Sequence, residues 1–263
     1  MTEKLNRFLL TILSIFLLNE IVFSFSSSAL QSKLGSMEAV LWDVDGTLSN
    51  SYNLGFVATN EVLKRNGYEE INSETYHCGT RYSTPVRFSW HVSGDSSGPN
   101  EEGIKLGLEF DELYIGKVTA ETTGFYPGIK DIVKSISSSG YRQGALSNAA
   151  GDYVRSVLVA NGISEVFEVQ LGADEVEAPK PSPEGLLQCC REMNINPSLC
   201  VYVGDSPSDG EAAKAAGMKS IGVAWGSHAV ETITSKFDEV VHDVSELQQC
   251  LSLMGIEERA INN

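Results

Sequence analysis

Six short apolar runs, each ending in polar residues, recur from residue 38 to the far end of the chain. They are "EAVLW", "YRQGALS", "VFEVQL", "CVYVG", "KSIGVA" and "DEVV". Between them lie stretches with helical spacing, among them "GFVATNEVLKRNG", "GIKDIVKSISSSG", "DYVRSVLVANG", "SPEGLLQCCREMN", "SDGEAAKAAG" and "VSELQQCLSLMG". Strands that alternate with helices predict an α/β fold with a parallel sheet covered on both faces. The first run, "EAVLW", reads as a strand buried on both sides. Ser182 is the expected N-cap of one helix, with Pro183 in its first turn, and Ser245 stands near the start of the last. Trp225, in "VAWG", is expected to pack at a strand end.

Residues 51–124 break this alternation. Residues 69–124 are less regular, and "HVSGDSSGPNEEG" (91–103) reads as a loop by composition. "IKLGLEFDELYIGKVTAET" regains helical spacing. The stretch is long enough to form a small helical domain inserted after the first strand. The expected division is a sheet core over 37–50 and 125–254, a helical cap over 51–124, and a tail over 255–263.

In an open parallel sheet, ligands bind at the carboxyl ends of the strands. The first strand leads into Asp43 and Asp45, the second into Ser147 and Asn148, the third towards "EAPKPSP" with Lys180, and the fourth into "GDSPSD" with Asp205 and Asp209. Crowded carboxylates repel unless a cation or a proton relieves them. All-oxygen ligands suit Mg²⁺, and a lysine with a hydroxyl suits the oxygens of a phosphate. The amides after Asp43 and the Asn148 side chain add donors. One of the paired acids can attack phosphorus, and the other can give and take the protons of the two half-reactions. Gly46 allows the sharp turn that aims both at one phosphate.

These residues resemble the haloacid dehalogenase-like superfamily, with "DVDGTL", "LSN", "KPSP" and "GDSPSD" as its four motifs in order. The resemblance spans about residues 38–250 and is strongest to the phosphoglycolate-phosphatase and β-phosphoglucomutase-like branch, which carries a helical cap between the first two motifs. It implies a Rossmann-like core and a Mg²⁺-dependent phosphatase that hydrolyses a small phosphorylated metabolite through an aspartyl-phosphate. It implies Asp43 as nucleophile and metal ligand, and Asp45 as general acid/base with its main-chain carbonyl on the metal. Ser147, Asn148 and Lys180 would bind phosphate, Asp205 would be a further metal ligand, and Asp209 would orient Lys180 or a metal-bound water. Dehalogenases of the superfamily lack an acid at the position of Asp45, so its presence favours phosphoryl chemistry. 2-Phosphoglycolate and sugar phosphates are the candidate substrates. Phosphotransfer of the β-phosphoglucomutase kind and non-catalytic phosphometabolite binding are the alternatives. In the cap, "YHCGTRYSTPVRFSWH" concentrates His77, Arg81, Arg87 and His91 among aromatics. His77 and Arg81 are the candidates for holding the leaving part of the substrate, with Gly79 and Thr80 closing over it; a solvated helix face is the plainer reading.

Nineteen basic against 35 acidic residues give a net charge of −16, which argues against non-specific nucleic-acid binding. Five cysteines, at 78, 189, 190, 200 and 250, show no metal-site spacing and read as free thiols. At the N-terminus, Lys4 and Arg7 precede an apolar run of 11 residues, Phe8 to Leu18, short of the roughly 20 that a bilayer crossing needs. This is the pattern of a secretory signal, with cleavage expected after Ser24 or Ala29. The Ser-rich, acid-free segment that follows has transit-peptide composition. Together, residues 1–36 resemble the two-part leaders that address proteins to secondary plastids. Secretion, or anchoring by an uncleaved leader, is the alternative, and no membrane span is expected in the mature chain.

Overall fold

The computed structural model describes residues 37–256. The expected leader (1–36) and most of the expected tail lie outside the described residues. Six parallel strands form one sheet in the order β3-β2-β1-β4-β5-β6. They are β1 Ala39–Trp42, β2 Arg142–Leu146, β3 Val169–Leu171, β4 Cys200–Gly204, β5 Lys219–Val223 and β6 Glu239–Val241. The order reverses between β1 and β4, and the crevice at such a point is where open α/β sheets bind their ligands.

The central strands are apolar throughout because both faces are covered. Alternate residues of β1 go to opposite sides: Val40 and Trp42 join one buried cluster, Ala39 and Leu41 the other. The covering helices are α5 Ile129–Ser138, α6 Gly151–Ala160, α7 Glu184–Met193, α8 Pro207–Ala216, the short α9 Val230–Ile233 and α10 Val244–Leu253. Their buried residues follow helical spacing, as with Ile129, Ile132, Val133 and Ile136 of α5 and Leu186, Cys189, Cys190 and Met193 of α7. The N-cap of α7 is Pro183 rather than Ser182; the Ser182 hydroxyl still accepts from the Glu184 amide, at 3.4 Å. Asp243 caps α10 and accepts from the Glu246 amide, and Ser245 stands in the first turn as expected. All five cysteines are free thiols, and Cys190 Sγ lies 3.7 Å from Cys200 Sγ, a contact that sequence spacing did not suggest.

Between β1 and β2 the chain forms four helices: α1 Tyr52–Arg65, α2 Ser73–Gly79, α3 Thr84–Ser93 and α4 Glu101–Gly116. The loop expected over 91–103 is shorter than composition implied. Helix α3 runs on to a left-handed Gly94, and α4 begins at once after Asn100, whose side chain accepts from the Gly103 amide. Glycine suits the first of these positions because its φ of +77° crowds a Cβ. The two connections to the sheet run side by side. Asn50 N donates to Gly124 O at 3.0 Å and Tyr126 N to Leu48 O at 3.0 Å, so departure and return are pinned at residues 48–50 and 124–126. Buried residues of these helices, including Leu54, Phe88, Leu106, Phe110 and Tyr114, belong to the same cluster as Val40 and Trp42.

One polar contact lies inside that cluster's wall. Trp42 Nε1 donates to Gln143 Oε1 at 3.0 Å, and Gln143 Nε2 donates to the Val133 carbonyl at 2.9 Å; both side chains are fully buried. Gln143→Leu strands the indole N–H without an acceptor. Urea denaturation should show a loss of about 1–3 kcal/mol.

Candidate active site

The strand ends deliver their polar residues to one cavity of about 800 Å³, lined from the sheet side by Asp43, Asp45, Ser147, Lys180 and Asp205 and from the helical side by residues of α2, α3 and α4. Asp43 is placed by the sheet itself: its amide continues the ladder onto Val203 O at 2.9 Å. Gly46 then turns the chain with φ +82°. A Cβ there would stand 2.3 Å from Asp205 Oδ2, and one on Gly226 would stand equally close to Asp205. Asp205 is therefore held between two positions where only glycine fits.

Lys180 is the centre of the arrangement. It is 5% exposed, and its Nζ lies 2.7 Å from Asp43 Oδ1 and 2.7 Å from Asp209 Oδ1, 3.0 Å from Tyr202 Oη and 3.2 Å from Leu146 O. Burial pulls its pKa down, but Asp209 and Asp43 more than reverse this, so the net direction is upward. Asp209 is saturated. Its Oδ1 also accepts from Tyr202 at 2.8 Å, and its Oδ2 accepts from Ser206 Oγ at 2.6 Å and Ser206 N at 3.0 Å. Burial pushes Asp209 up, yet Lys180 and the Ser206 and Tyr202 hydroxyls hold it below the usual carboxylate range. Asp43 goes the other way: burial raises its pKa well above the ordinary value, Asp209 and Asp205 add to the rise, and Lys180 offsets only part.

That surplus of negative charge is the argument for a cation. Asp43, Asp205 and Asp209 each offer a carboxylate oxygen within 4.8 Å of the others', against one buried ammonium. Asp209 is spent on Lys180 and Ser206, so Asp43 and Asp205 are the carboxylates that would hold a metal. All-oxygen donors of this kind fit a hard divalent ion. The hydrogen bonds on Asp205 converge on Oδ2, from Ser227 N at 2.8 Å and Ser227 Oγ at 3.1 Å. The Asp45 carboxylate stands outside this group, leaving its main-chain carbonyl as the candidate ligand.

Asp45 faces hydroxyls instead. Its Oδ1 accepts from Ser51 at 2.5 Å, Tyr153 at 2.6 Å and Tyr114 at 3.4 Å, and its Oδ2 from Ser147 at 3.0 Å. Tyr114 and Tyr153 stack with centroids 4.2 Å apart and share a 2.9 Å hydrogen bond. Burial first and the Asp45 charge second raise both phenol pKa values well above normal, so both remain donors. When Asp45 carries a proton, a serine hydroxyl can rotate to accept it.

Asn148, expected on the phosphate, lines the cavity; its Nδ2 donates to Lys180 O at 2.9 Å and Lys180 N donates to its Oδ1 at 3.0 Å, which fixes the Lys180 loop. Arg81 does not line the cavity: its Nε donates to Cys78 O at 2.9 Å, and its guanidinium lies 5.7 Å from the Tyr82 ring centre. The guanidinium in the cavity wall is that of Arg87. His77 does line it, 5.0 Å in ring separation from His228. Trp225 closes one side, donating to Thr47 O at 3.2 Å. Thr47 Oγ1, on Asp43 Oδ2 at 3.0 Å, together with Tyr202, Ser51, Tyr114 and Tyr153, was not foreseen. Tyr202, a lone phenol in an otherwise aliphatic strand, was the one with a visible signal.

The haloacid dehalogenase-like hydrolase model matches residues 40–223. The chain belongs to that family. Phosphoglycolate phosphatase of Salmonella choleraesuis is 31% identical over 170 residues, covering 64% of this chain and 68% of the relative. Among solved structures, β-phosphoglucomutase from Clostridium difficile superposes with a TM-score of 0.70 at 22% identity, over 83% of this chain and 97% of its own. CbbY from Rhodobacter sphaeroides, in complex with phosphate, gives 0.68 at 24%, over 80% and 96%.

Asp209→Asn tests the buried ion network. Asp209's depressed pKa means that its contribution to stability is present above the ordinary carboxylate pKa and is lost as pH falls through the native value. Chemical denaturation at pH 7 should show a loss of about 3–5 kcal/mol, as for breaking a buried pair, and the gap from wild type should close on acidification below about pH 4.

Proposed function

We propose that this hydrolase is a Mg²⁺-dependent phosphatase of a small phosphorylated metabolite and works through an aspartyl-phosphate on Asp43. One observation carries the reading: a buried carboxylate, Asp43, shares a cavity with the Lys180 ammonium and a second carboxylate, Asp45, held by four hydroxyls. The similarity to phosphoglycolate phosphatases supports it.

An Asp43 oxygen attacks phosphorus, and the bond to the leaving oxygen breaks. Asp45 gives its proton to that oxygen. Asp45 then takes a proton from water as the water attacks the aspartyl-phosphate, and inorganic phosphate leaves with Asp43 regenerated. Lys180 places positive charge beside the transferring group's oxygens, and Asp209 and Tyr202 keep it there. Asp43 and Asp205 would hold a Mg²⁺ ion, which would supply charge neutralisation that Lys180 alone does not. The cavity also accommodates the leaving part of the substrate, with 2-phosphoglycolate the first candidate and sugar phosphates next.

Asp43→Asn should lower p-nitrophenyl phosphate turnover roughly 10⁴-fold or more with an unchanged circular dichroism spectrum; turnover at the wild-type rate sinks the mechanism. Chelation with EDTA should stop the wild-type enzyme, and Mg²⁺ should restart it. Conversion of β-glucose 1-phosphate to glucose 6-phosphate without phosphate release would favour the mutase alternative. A broad metabolite panel giving no phosphate release at all would favour non-catalytic binding.

We also propose that residues 1–36 direct the chain to a plastid. The support is compositional: a basic start, a short apolar centre and a Ser-rich, acid-free continuation. A fusion of residues 1–40 to a fluorescent protein should label plastids in a host with secondary plastids, whereas labelling of the secretory route alone would refute the address.

A further inference from the structure

Two histidines meet in the cavity wall. His77 stands on α2 and His228 on the segment that follows β5, and both line the cavity. Their ring centres are 5.0 Å apart, with the ring planes inclined by 50°. The reaction proposed above uses neither ring. His228 is oriented from the sheet side: its Nδ1 lies 3.4 Å from Ser227 Oγ and 3.6 Å from Asp205 Oδ2. Those contacts occupy Nδ1 and leave Nε2 as the nitrogen to serve a ligand in the cavity. A histidine whose other ring nitrogen faces a carboxylate has the usual surroundings of a metal-binding imidazole, because the carboxylate fixes the ring and raises its basicity.

The separation of the rings has a chemical meaning. Two imidazoles on one tetrahedral zinc, with Zn–N distances of about 2.0–2.1 Å, hold their ring centres roughly 5 Å apart. A carboxylate stands close in sequence as well. Glu74 precedes His77 by three residues on α2, a spacing that puts both on one side of a helix, and both line the cavity. Glu74 is exposed, and its long side chain has room to turn. The donor types separate two kinds of ion. Imidazole nitrogens suit Zn²⁺ and its transition-metal neighbours, whereas the carboxylate oxygens of Asp43 and Asp205 suit Mg²⁺.

We infer that His77 and His228 together bind a Zn²⁺-class ion at a second metal site, distinct in ligands and in ion preference from the pair Asp43 and Asp205. Glu74 and water are the donors at hand to complete the coordination. An ion on both rings ties α2, in the helical segment, to the chain after β5. That chain includes Ser227, whose amide and hydroxyl orient Asp205, so filling the second site is felt at the first.

The test is Zn²⁺ binding by the full chain, purified without a polyhistidine tag, stripped with EDTA and titrated against a chromophoric chelator near neutral pH in excess Mg²⁺. Wild type should take up a Zn²⁺ ion that Mg²⁺ does not displace. His77→Gln and His228→Gln should each weaken that uptake by at least roughly 10- to 100-fold, the range for losing a group that only orients a ligand. Zn²⁺ should also shield both histidines of the wild type from diethyl pyrocarbonate, read by peptide mass, which needs no variant to fold. Wild type that takes up no Zn²⁺ overturns the inference, as does uptake that Mg²⁺ reverses. Uptake that survives both substitutions overturns it too, since the ion would then sit on cysteines or on Asp43 and Asp205, and so do histidines that react equally with and without Zn²⁺. None of these readings involves turnover, so failure of the phosphatase reading would leave the second site standing.

Discussion

The ammonium of Lys180, buried between Asp43 and Asp209, is the contact on which the site's geometry depends. It joins the end of β1 to the start of α8, across the point where the sheet order reverses. A buried lysine is tolerated only when its charge is answered, and here every other polar contact around it serves that end. Tyr202 reaches up from β4 to both Nζ and Asp209. Asn148 clamps the Lys180 main chain from the end of β2. Three strands and one loop are thereby held in a single register at their carboxyl ends.

Four aspartates share the cavity, and their surroundings assign them different chemistry. Asp209 has every oxygen engaged and stays ionised as a structural counter-charge. Asp43 is close to two other acids and shares its one cation, so it is the group that gains most from a divalent ion. Asp205, wedged against Gly46 and Gly226, is fixed in orientation by Ser227. Asp45 is turned away from the others towards serine and tyrosine hydroxyls. Identical side chains thus differ through burial, hydrogen bonds and neighbouring charge.

The sheet was legible because period and apolarity are local properties. "EAVLW" and "CVYVG" are strands buried on both faces, and the residues after them fall where a parallel sheet places strand ends. The helical segment was less so. Residues 91–93 and 101–103 were lost to the loop because Ser, Gly and Pro between them dominate the composition, while the Asn100 cap and the Gly94 stop were the finer signal. Lys180 and the aspartates stood in short motifs. Tyr114 and Tyr153, separated from Asp45 by 69 and 108 residues, carry no local mark, and only the packing of α4 on α6 brings them in. The exchange of Arg81 for Arg87 has the same origin: both lie in one basic, aromatic run, and which guanidinium turns inward depends on where α2 ends and α3 begins.

The rings of Phe110, Tyr114 and Tyr153 form an unbroken contact path from Arg87 to Asp45. Because such an interior is close-packed, trimming any one ring of this column must let its neighbours shift, and the displacement would be felt at the Asp45 carboxylate.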